Sequence, residues 1–398
     1  MQVSNERILV THVGSLPRNA VLTDLLLRQE SHESVDLRLL QREMDRAVEH
    51  AVRKQVEVGV DIGNDGEQQR VGFHTYIPQR MSGFGGESKR RRSPEYDEFP
   101  AFAEAVARRF PRRSRSNNAP QAIGPLHYND TSQIEQEIRR LFQATEASRV
   151  SFVERFMTAP SPGIIATTMH NAFYDSHRAY VSALAREMRQ EYLAIYKSGL
   201  LLQIDAPDLA MERTMFARDM SDAEFLELCE VHVAALNSAL RGIPADGIRL
   251  HCCWGNWEGP HVHDIPLATV LPVLIQARVG GLSIEFANPR HQHEYDALCK
   301  LPLPDGMILL PGVIDTTTNI VEHPEVVARR LEQAVAVIGD RERVIANTDC
   351  GFGTFAGYEW VAEDVVWAKL EMCRRGAEIA SARLWGRARP ITANGLAG

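Results

Sequence analysis

The chain lacks several things, and each absence closes a class of function. No apolar run approaches the ~20 residues that a membrane-spanning helix needs, so no membrane partner is expected. The start, Met1-Gln-Val-Ser-Asn-Glu-Arg7, carries no basic-then-apolar leader. Positive charge is not in excess: 44 Lys and Arg stand against 52 Asp and Glu, a net charge of −8, which argues against a nucleic-acid partner. Cysteine is sparse, with six in 398 residues, at positions 229, 252, 253, 299, 350 and 373. Their spacing has neither a disulfide framework nor a compact C-x-x-C pair, and free thiols fit a reducing cytoplasm. No G-x-G-x-x-G follows the first strand, which disfavours an open dinucleotide-binding sheet. No repeat is evident at a period of about 20–50 residues.

What remains is an ordinary globular composition, 44% hydrophobic and 24% charged. Short apolar runs alternate with longer helical patterns. The runs predict eight strands: Ile8–Val13, Val60–Asn64, Ser151–Thr158, Leu200–Asp205, Ile248–Cys253, Leu282–Phe286, Met307–Ile314 and Arg343–Thr348. Helical stretches lie between them, at Val35–Gly59, Asp175–Gly199, Ser221–Leu240, Pro266–Arg278, Pro324–Ile338 and Tyr358–Ala380. Glycines at 59, 199, 242, 280 and 339 fit as helix stops. Eight strand–helix units predict one parallel (β/α)8 TIM barrel over 1–398, with an insertion at about 68–149. In such a barrel the active site lies where strands run out into loops. The unusual polar residues fall there: His12, Gly14, Ser15, Glu67, Asp205, His251, Cys253, Glu285, Asp315, Asp349 and Cys350.

Four of these make a metal set. His251 and Cys253 are two apart on a strand, so they share a face while Cys252 points away. Glu285 and Cys350 sit at two other strand ends. Imidazole, thiolate and carboxylate are zinc ligands, so the cofactor expected is Zn2+. Two thiolates and one carboxylate outweigh the ion's charge, giving a poor acid for water but a centre that keeps an added thiolate ionised and nucleophilic. The competing reading is that a Cys or His inside a strand simply packs. The coincidence of all four with strand ends favours the metal.

The insertion breaks the rhythm of the chain. Residues 89–115 hold nine Lys and Arg against four Asp and Glu. They form either a solvated surface loop or an arm whose guanidinium groups meet an anionic substrate tail. Ile123-Gly-Pro-Leu-His-Tyr128 reads as a short strand within it.

Long segments resemble the cobalamin-independent methionine synthase family. They are Thr11-His-Val-Gly-Ser-Leu-Pro-Arg18, Asn64-Asp-Gly-Glu67, Gln203-Ile-Asp-Ala-Pro-Asp208, Pro311-Gly-Val-Ile-Asp315 and Asn347-Thr-Asp-Cys-Gly351. Within that superfamily, three further segments resemble the single-barrel branch that includes the epoxyalkane:coenzyme M transferases. These are the run Leu250-His-Cys-Cys-Trp through Pro266, Asn288-Pro-Arg-His-Gln-His-Glu294 and Asn319-Ile-Val-Glu-His-Pro324. The resemblance spans essentially the whole chain as the family's catalytic barrel. It implies that His251, Cys253, Glu285 and Cys350 are zinc ligands. It implies that Glu67 and Asp205 hold the amino group of homocysteine, and that the turn at Gly14 and Ser15 receives its carboxylate. Two positions depart from the methionine-forming pattern. Ala206 replaces a Glu, and Thr317 replaces a His expected to aid proton delivery to the methyl donor. With the family's N-terminal barrel absent from this sequence, both weigh against folate as donor.

The expected activity is a zinc-dependent thiol S-alkyltransferase: a small-molecule thiol attacks a methyl or epoxide carbon, and the leaving atom takes a proton. General-acid candidates are His261, His263, His291, Asp349 and Tyr358, each also readable as a group that orients a ligand. Trp254 and Trp257 either exclude water from the thiolate or pack. A coenzyme M-like sulfonate would need a cation, with Arg18, Arg70 and Arg290 as candidates. A porphyrinogen decarboxylase-like enzyme on the same barrel is the remote alternative, and it needs no zinc set. A homo-oligomer is compatible with everything above.

Overall fold

The computed structural model describes residues 1–114, 118–149 and 151–386. Arg115, at the end of the basic arm, lies outside the described residues. Nine strands occur among them: β1 Ile62–Gly63, β2 Met81–Gly85, β3 Gln121–Tyr128, β4 Glu154–Pro160, β5 Leu201–Asp205, β6 Ile248–Cys252, β7 Gly281–Ile284, β8 Ile308–Ile314 and β9 Asn347–Thr348. Seven pair in parallel in the order β1-β4-β5-β6-β7-β8-β9. The predicted first strand, Ile8–Val13, is reduced to two bridges. Val10 pairs with Ala346 beside β9, and Thr11 pairs with Ile62 of β1. Those bridges join the two ends of the sheet and close the barrel. An edge left open there would expose unpaired backbone groups.

The helices wrap the outside because their apolar faces repeat at helical spacing while the strands are buried on both faces. Helix Leu37–Glu57 buries Leu40, Met44, Val48 and Val52 on one stripe. The helix expected to run to Arg278 stops at Leu274, two residues past Pro272. Gly339 ends helix Pro324–Ile338 in the left-handed conformation, as expected of a helix stop. Gly280 does not cap a helix. It leads into β7, where a side chain would meet the Ala245 carbonyl oxygen at 2.7 Å. Inside the barrel, Leu9, Ile62, Phe156, Leu201, Ile308, Leu310 and Ile345 form an apolar plug. The C-terminal end is left to polar groups. No helix among the described residues is long and apolar enough to cross a membrane.

Between β1 and β4 lie the antiparallel hairpin β2–β3, the short helices Glu95–Glu98 and Pro100–Arg109, and helix Ser132–Ala147. Helix Ser132–Ala147 packs with helix Leu37–Glu57 as a regular outer helix. The excursion proper is therefore shorter than the sequence implied. It is pinned to the barrel by a buried network. Glu137 accepts from Arg70 Nε and Nη2 at 3.1 and 2.9 Å and also pairs with Arg80, and Arg80 reaches Glu191 at 3.1 Å.

Candidate metal and substrate site

Strand register sets the floor of the site. Asp205 pairs with His251, and His251 with Ser283, so three neighbouring strands present these residues at one level. Just beyond the strands, Cys253 directly follows β6 and Cys350 lies two residues past β9. The ligand atoms of His251, Cys253 and Cys350 all lie within 4.8 Å of one another, and all three residues are buried.

His251 is aimed by a hydroxyl. Its Nδ1 lies 3.1 Å from Ser283 Oγ, which also accepts from Asn347 Nδ2 at 2.8 Å. With Asn347 supplying a proton to that oxygen, the ring nitrogen can donate to it as well, which leaves the Nε2 lone pair free. Nε2 is buried and has no hydrogen-bond partner. The two thiols are coupled: the closeness of Cys350, and then of the His251 ring, holds Cys253 well below the usual thiol range against the effect of burial. The same closeness, with burial, pushes Cys350 well up. An unpartnered buried imidazole nitrogen facing two cysteines, one of them readily ionised, fits a thiophilic dication such as zinc. Glu285 stands outside this trio. Its Oε1 accepts from the Trp254 backbone N–H at 3.3 Å and its Oε2 from Asn288 Nδ2 at 2.9 Å. Burial, then the charge of Cys253, pushes its carboxyl well up. The structure thus brings three of the four expected ligands together and sets the fourth beside them.

A cavity of about 230 Å³ opens over the cluster, lined by Ser15, Glu67, Asp205, His251, Cys253, Trp254 and Cys350 among others. Glu67 Oε1 accepts from Thr158 Oγ1 at 2.9 Å, while its buried Oε2 has no partner. Burial and then Glu67 push Asp205 up to about 7. Two buried carboxylates in one cavity, one raising the proton affinity of the other, can receive a cation. Glu67 adopts φ 53°, a strained backbone for a residue with a side chain. Gly14, at φ 148°, makes room for it, since a Cβ there would meet Glu67 Oε1 and Thr158 Cγ2 at 2.7 Å each. Gly14→Ala should cost about 1–3 kcal/mol in chemical unfolding and weaken thiol binding, read by calorimetric titration. An unchanged thiol affinity would show that the Glu67 carboxylate is not needed in this position.

The remaining expected site residues divide by role. Arg18 does not line the cavity; its Nη2 donates to the Glu67 carbonyl at 2.8 Å, and it also holds Gly353, fixing both loops. His12 is fully buried, 2.8 Å from Gln55, and pushed down to about 4 by burial. Asp349 accepts from the backbone N–H groups of Phe286, Ala287 and Asn288 at 2.8–3.0 Å, which fixes the loop that carries Glu285. His263 lies on the surface against Glu98, 2.8 Å away and 43% exposed, so it does not reach the site. His261 and His291 do not line the cavity either. Both hold Asp264, which does, at 3.0 Å. His291 also stacks on Trp254 with ring centres 4.2 Å apart. Burial opposes its charge, but hydrogen bonds to Asp264 and Glu294 outweigh this and push it up to about 9. Tyr358 lines the cavity, whereas Arg70 and Arg290 do not: Arg70 is spent on Glu137 and Thr158, and Arg290 is exposed.

Sequence reasoning missed the layer beneath the ligands. Arg249 is wholly buried, bonded through Nε to Gln203 at 2.7 Å and through Nη1 to Thr11 at 3.0 Å, and Gln203 Nε2 donates to Asp205 at 2.7 Å. Arg249, Gln203 and Ser283 each lie two residues before a named site residue. The alternation that pairs His251 with Cys253, read backwards, finds all three. The outer wall comes from the basic insertion, read from the sequence as either a solvated loop or an arm facing an anionic tail; it contributes Arg90, Arg92, Ser93, Tyr96, Val106 and Arg113.

The family described as cobalamin-independent synthase, catalytic domain, matches residues 8–369. The chain is 22% identical over 343 residues to a methionine synthase of Sulfolobus acidocaldarius, covering 86% of this chain and 84% of that one. It is 23% identical over 376 residues to a 2-hydroxypropyl-CoM lyase of Xanthobacter autotrophicus, covering 87% of each. Among solved structures it is similar to a B12-independent methionine synthase from a Shewanella species in complex with selenomethionine. The TM-score there is 0.71 at 20% identity, over 96% of this chain and 99% of that one.

Proposed function

This chain belongs to the family of cobalamin-independent synthase catalytic domains, and on that footing we propose that it transfers a methyl group to the sulfur of an amine-bearing thiol, homocysteine or a close relative. The observation that carries the reading is a pairing of two receptors in one cavity. The trio His251, Cys253 and Cys350 meets the carboxylates of Glu67 and Asp205 across a single buried space. A thiol with an ammonium group a few bonds away matches both ends. The Sulfolobus relative is a methionine synthase, which supports the same acceptor.

His251, Cys253 and Cys350 would hold zinc, with Glu285 in reserve beside them, and the bound ion would supply the charge that keeps a substrate sulfur ionised at neutral pH. Glu67 and Asp205 hold the ammonium group and so fix the direction of the sulfur lone pair. Ser15 also lines the cavity, and Gly14 stands against the Glu67 carboxylate. Trp254, buried and bonded through Nε1 to the Ile265 carbonyl at 2.7 Å, keeps water from the sulfur. Methyl transfer forms the S–C bond as the donor's bond to carbon breaks. The pair left on the leaving atom takes a proton. His291 is held in its charged form by Asp264 and Glu294, and Asp264 lines the cavity. Against burial, hydrogen bonds from His261 and His291 hold the Asp264 carboxyl below the usual range, so a proton for the leaving atom would have to pass from His291 through this carboxylate.

The test is zinc-edge X-ray absorption on the purified chain, titrated with homocysteine and separately with coenzyme M. Homocysteine is expected to add a sulfur to the shell at about 2.3 Å, and Glu67→Gln is expected to raise the concentration needed at least tenfold. A coenzyme M response without a homocysteine response would overturn the amine-bearing thiol in favour of the 2-hydroxypropyl-CoM lyase-like reading. A zinc-free protein that still alkylates thiols would remove the metal from the reading altogether.

A further inference from the structure

The outer half of the cavity holds polar groups that the chemistry above leaves unused. His74 is 1% exposed, lines the cavity, and has no hydrogen-bond partner on either ring nitrogen. Its ring is packed edge-on between Phe73 and Phe355, with centres 4.4 and 5.6 Å away, so it cannot swing out to water. Arg90 lines the same cavity with its side chain 6% exposed. One end of its guanidinium is tied to Glu212, while its buried Nε has no partner. Three buried nitrogens on this cavity are thus without partners, a state that carries a desolvation penalty unless something bonds to them. An arrangement like this persists where a ligand completes it.

The rest of the wall describes that ligand. Arg92 and Arg113 add positive charge beside Arg90, and Arg113 lies 4.7 Å over the Tyr358 ring. Tyr96 and Trp257 stack at 5.3 Å and 12°, and Phe73, Phe355 and Tyr358 complete an aromatic lining. Burial, then the charge of Arg90, holds His74 well below the usual imidazole range, so it offers one N–H donor and carries no charge. The inner end carries Glu67 and Asp205, and the outer end carries Arg90, Arg92 and Arg113 against Glu95, so the outer end is net basic and the two ends suit two different molecules.

We propose that His74 and Arg90 form the recognition site for the alkyl donor, and that the donor is a flat, apolar-bodied molecule bearing a carboxylate. The carboxylate takes the His74 N–H and the Arg90 Nε–H, and the ring body lies against Trp257, Tyr96 and Phe355. That the occupant is the alkyl donor rests on the proposed alkyl transfer; the pocket's preference for an aromatic carboxylate does not. The pocket is built largely by the insertion and by the loop after β1. Donor choice is therefore separable from the thiol and metal chemistry of the barrel.

The test uses the full chain and three probes of like size: benzoate, benzamide and toluene. Calorimetric titration is expected to show benzoate binding most tightly. His74→Phe and Arg90→Met should each weaken benzoate at least tenfold and leave toluene within twofold, and His74→Gln should restore part of the loss. Histidine-labelled nitrogen NMR should show one imidazole shifting on benzoate addition and none in His74→Phe. Benzoate binding unchanged by both substitutions, or benzamide and toluene binding as well as benzoate, would overturn the proposal. Zinc-edge spectra of the same variants separate the two readings. A lost thiol response with intact benzoate selectivity sinks the alkyl transfer and spares the pocket, and the reverse sinks only the pocket.

Discussion

Replacing Cys253 by Ser is expected to strip the protein of zinc, from near one equivalent to below about one-tenth, and to abolish thiol alkylation. Cys253 belongs to the buried trio with His251 and Cys350, and serine offers a far harder, less ionisable oxygen in its place. The neighbouring Cys252 provides the control. It is fully buried on the opposite face of β6, and its thiol is pushed well up by burial. Cys252→Ser should keep full zinc content and lose only stability. Ser283→Ala removes the hydroxyl that aims His251, and should weaken zinc by about 10–100-fold without emptying the site. Metal analysis after dialysis against a graded chelator reads all three. Equal zinc content in Cys253→Ser and Cys252→Ser would end the assignment of the trio as the metal centre.

Glu137→Leu is expected to destabilise the fold by about 3–5 kcal/mol, the largest loss of stability from any single side chain discussed. Glu137 is buried between Arg70 and Arg80, and both guanidinium groups are also buried. Removing the carboxylate leaves two cations facing each other without their shared partner. The damage should also reach the site, because Arg70 Nη1 donates to Thr158 Oγ1 at 2.9 Å and Thr158 donates to Glu67. Weaker thiol binding should therefore accompany the lower unfolding midpoint. The surface pair Arg383–Glu332, a third exposed on each side, makes the comparison: Glu332→Gln should change stability by less than about 1 kcal/mol. Denaturant unfolding of both variants decides the matter. If the two cost the same, Glu137 does not hold the insertion to the barrel.

The sequence by itself determined the barrel and its chemistry at the level of residue type. Strand runs and glycine stops recur along the chain because each unit must bury an apolar strand and then turn back. That local demand is written into consecutive residues. Alternation at period two likewise tied His251 to Cys253, and strand ends marked Glu67, Asp205 and Cys350 as residues that need not be apolar. The tertiary structure alone decided which of these meet. Cys350 joins His251 and Cys253 only because β9 and β6 are drawn round one ring, and Glu285 stays just outside because Trp254 and Asn288 hold its oxygens. The same holds for the histidines. His263 and His291 sit in similar loops in sequence, yet one faces solvent and the other stacks under Trp254. His74 carried no signal in the chain, and Arg90 only the charge of the basic arm. Their weight comes from nitrogens left without partners, and a lack of partners is a property of surroundings assembled from segments far apart in sequence.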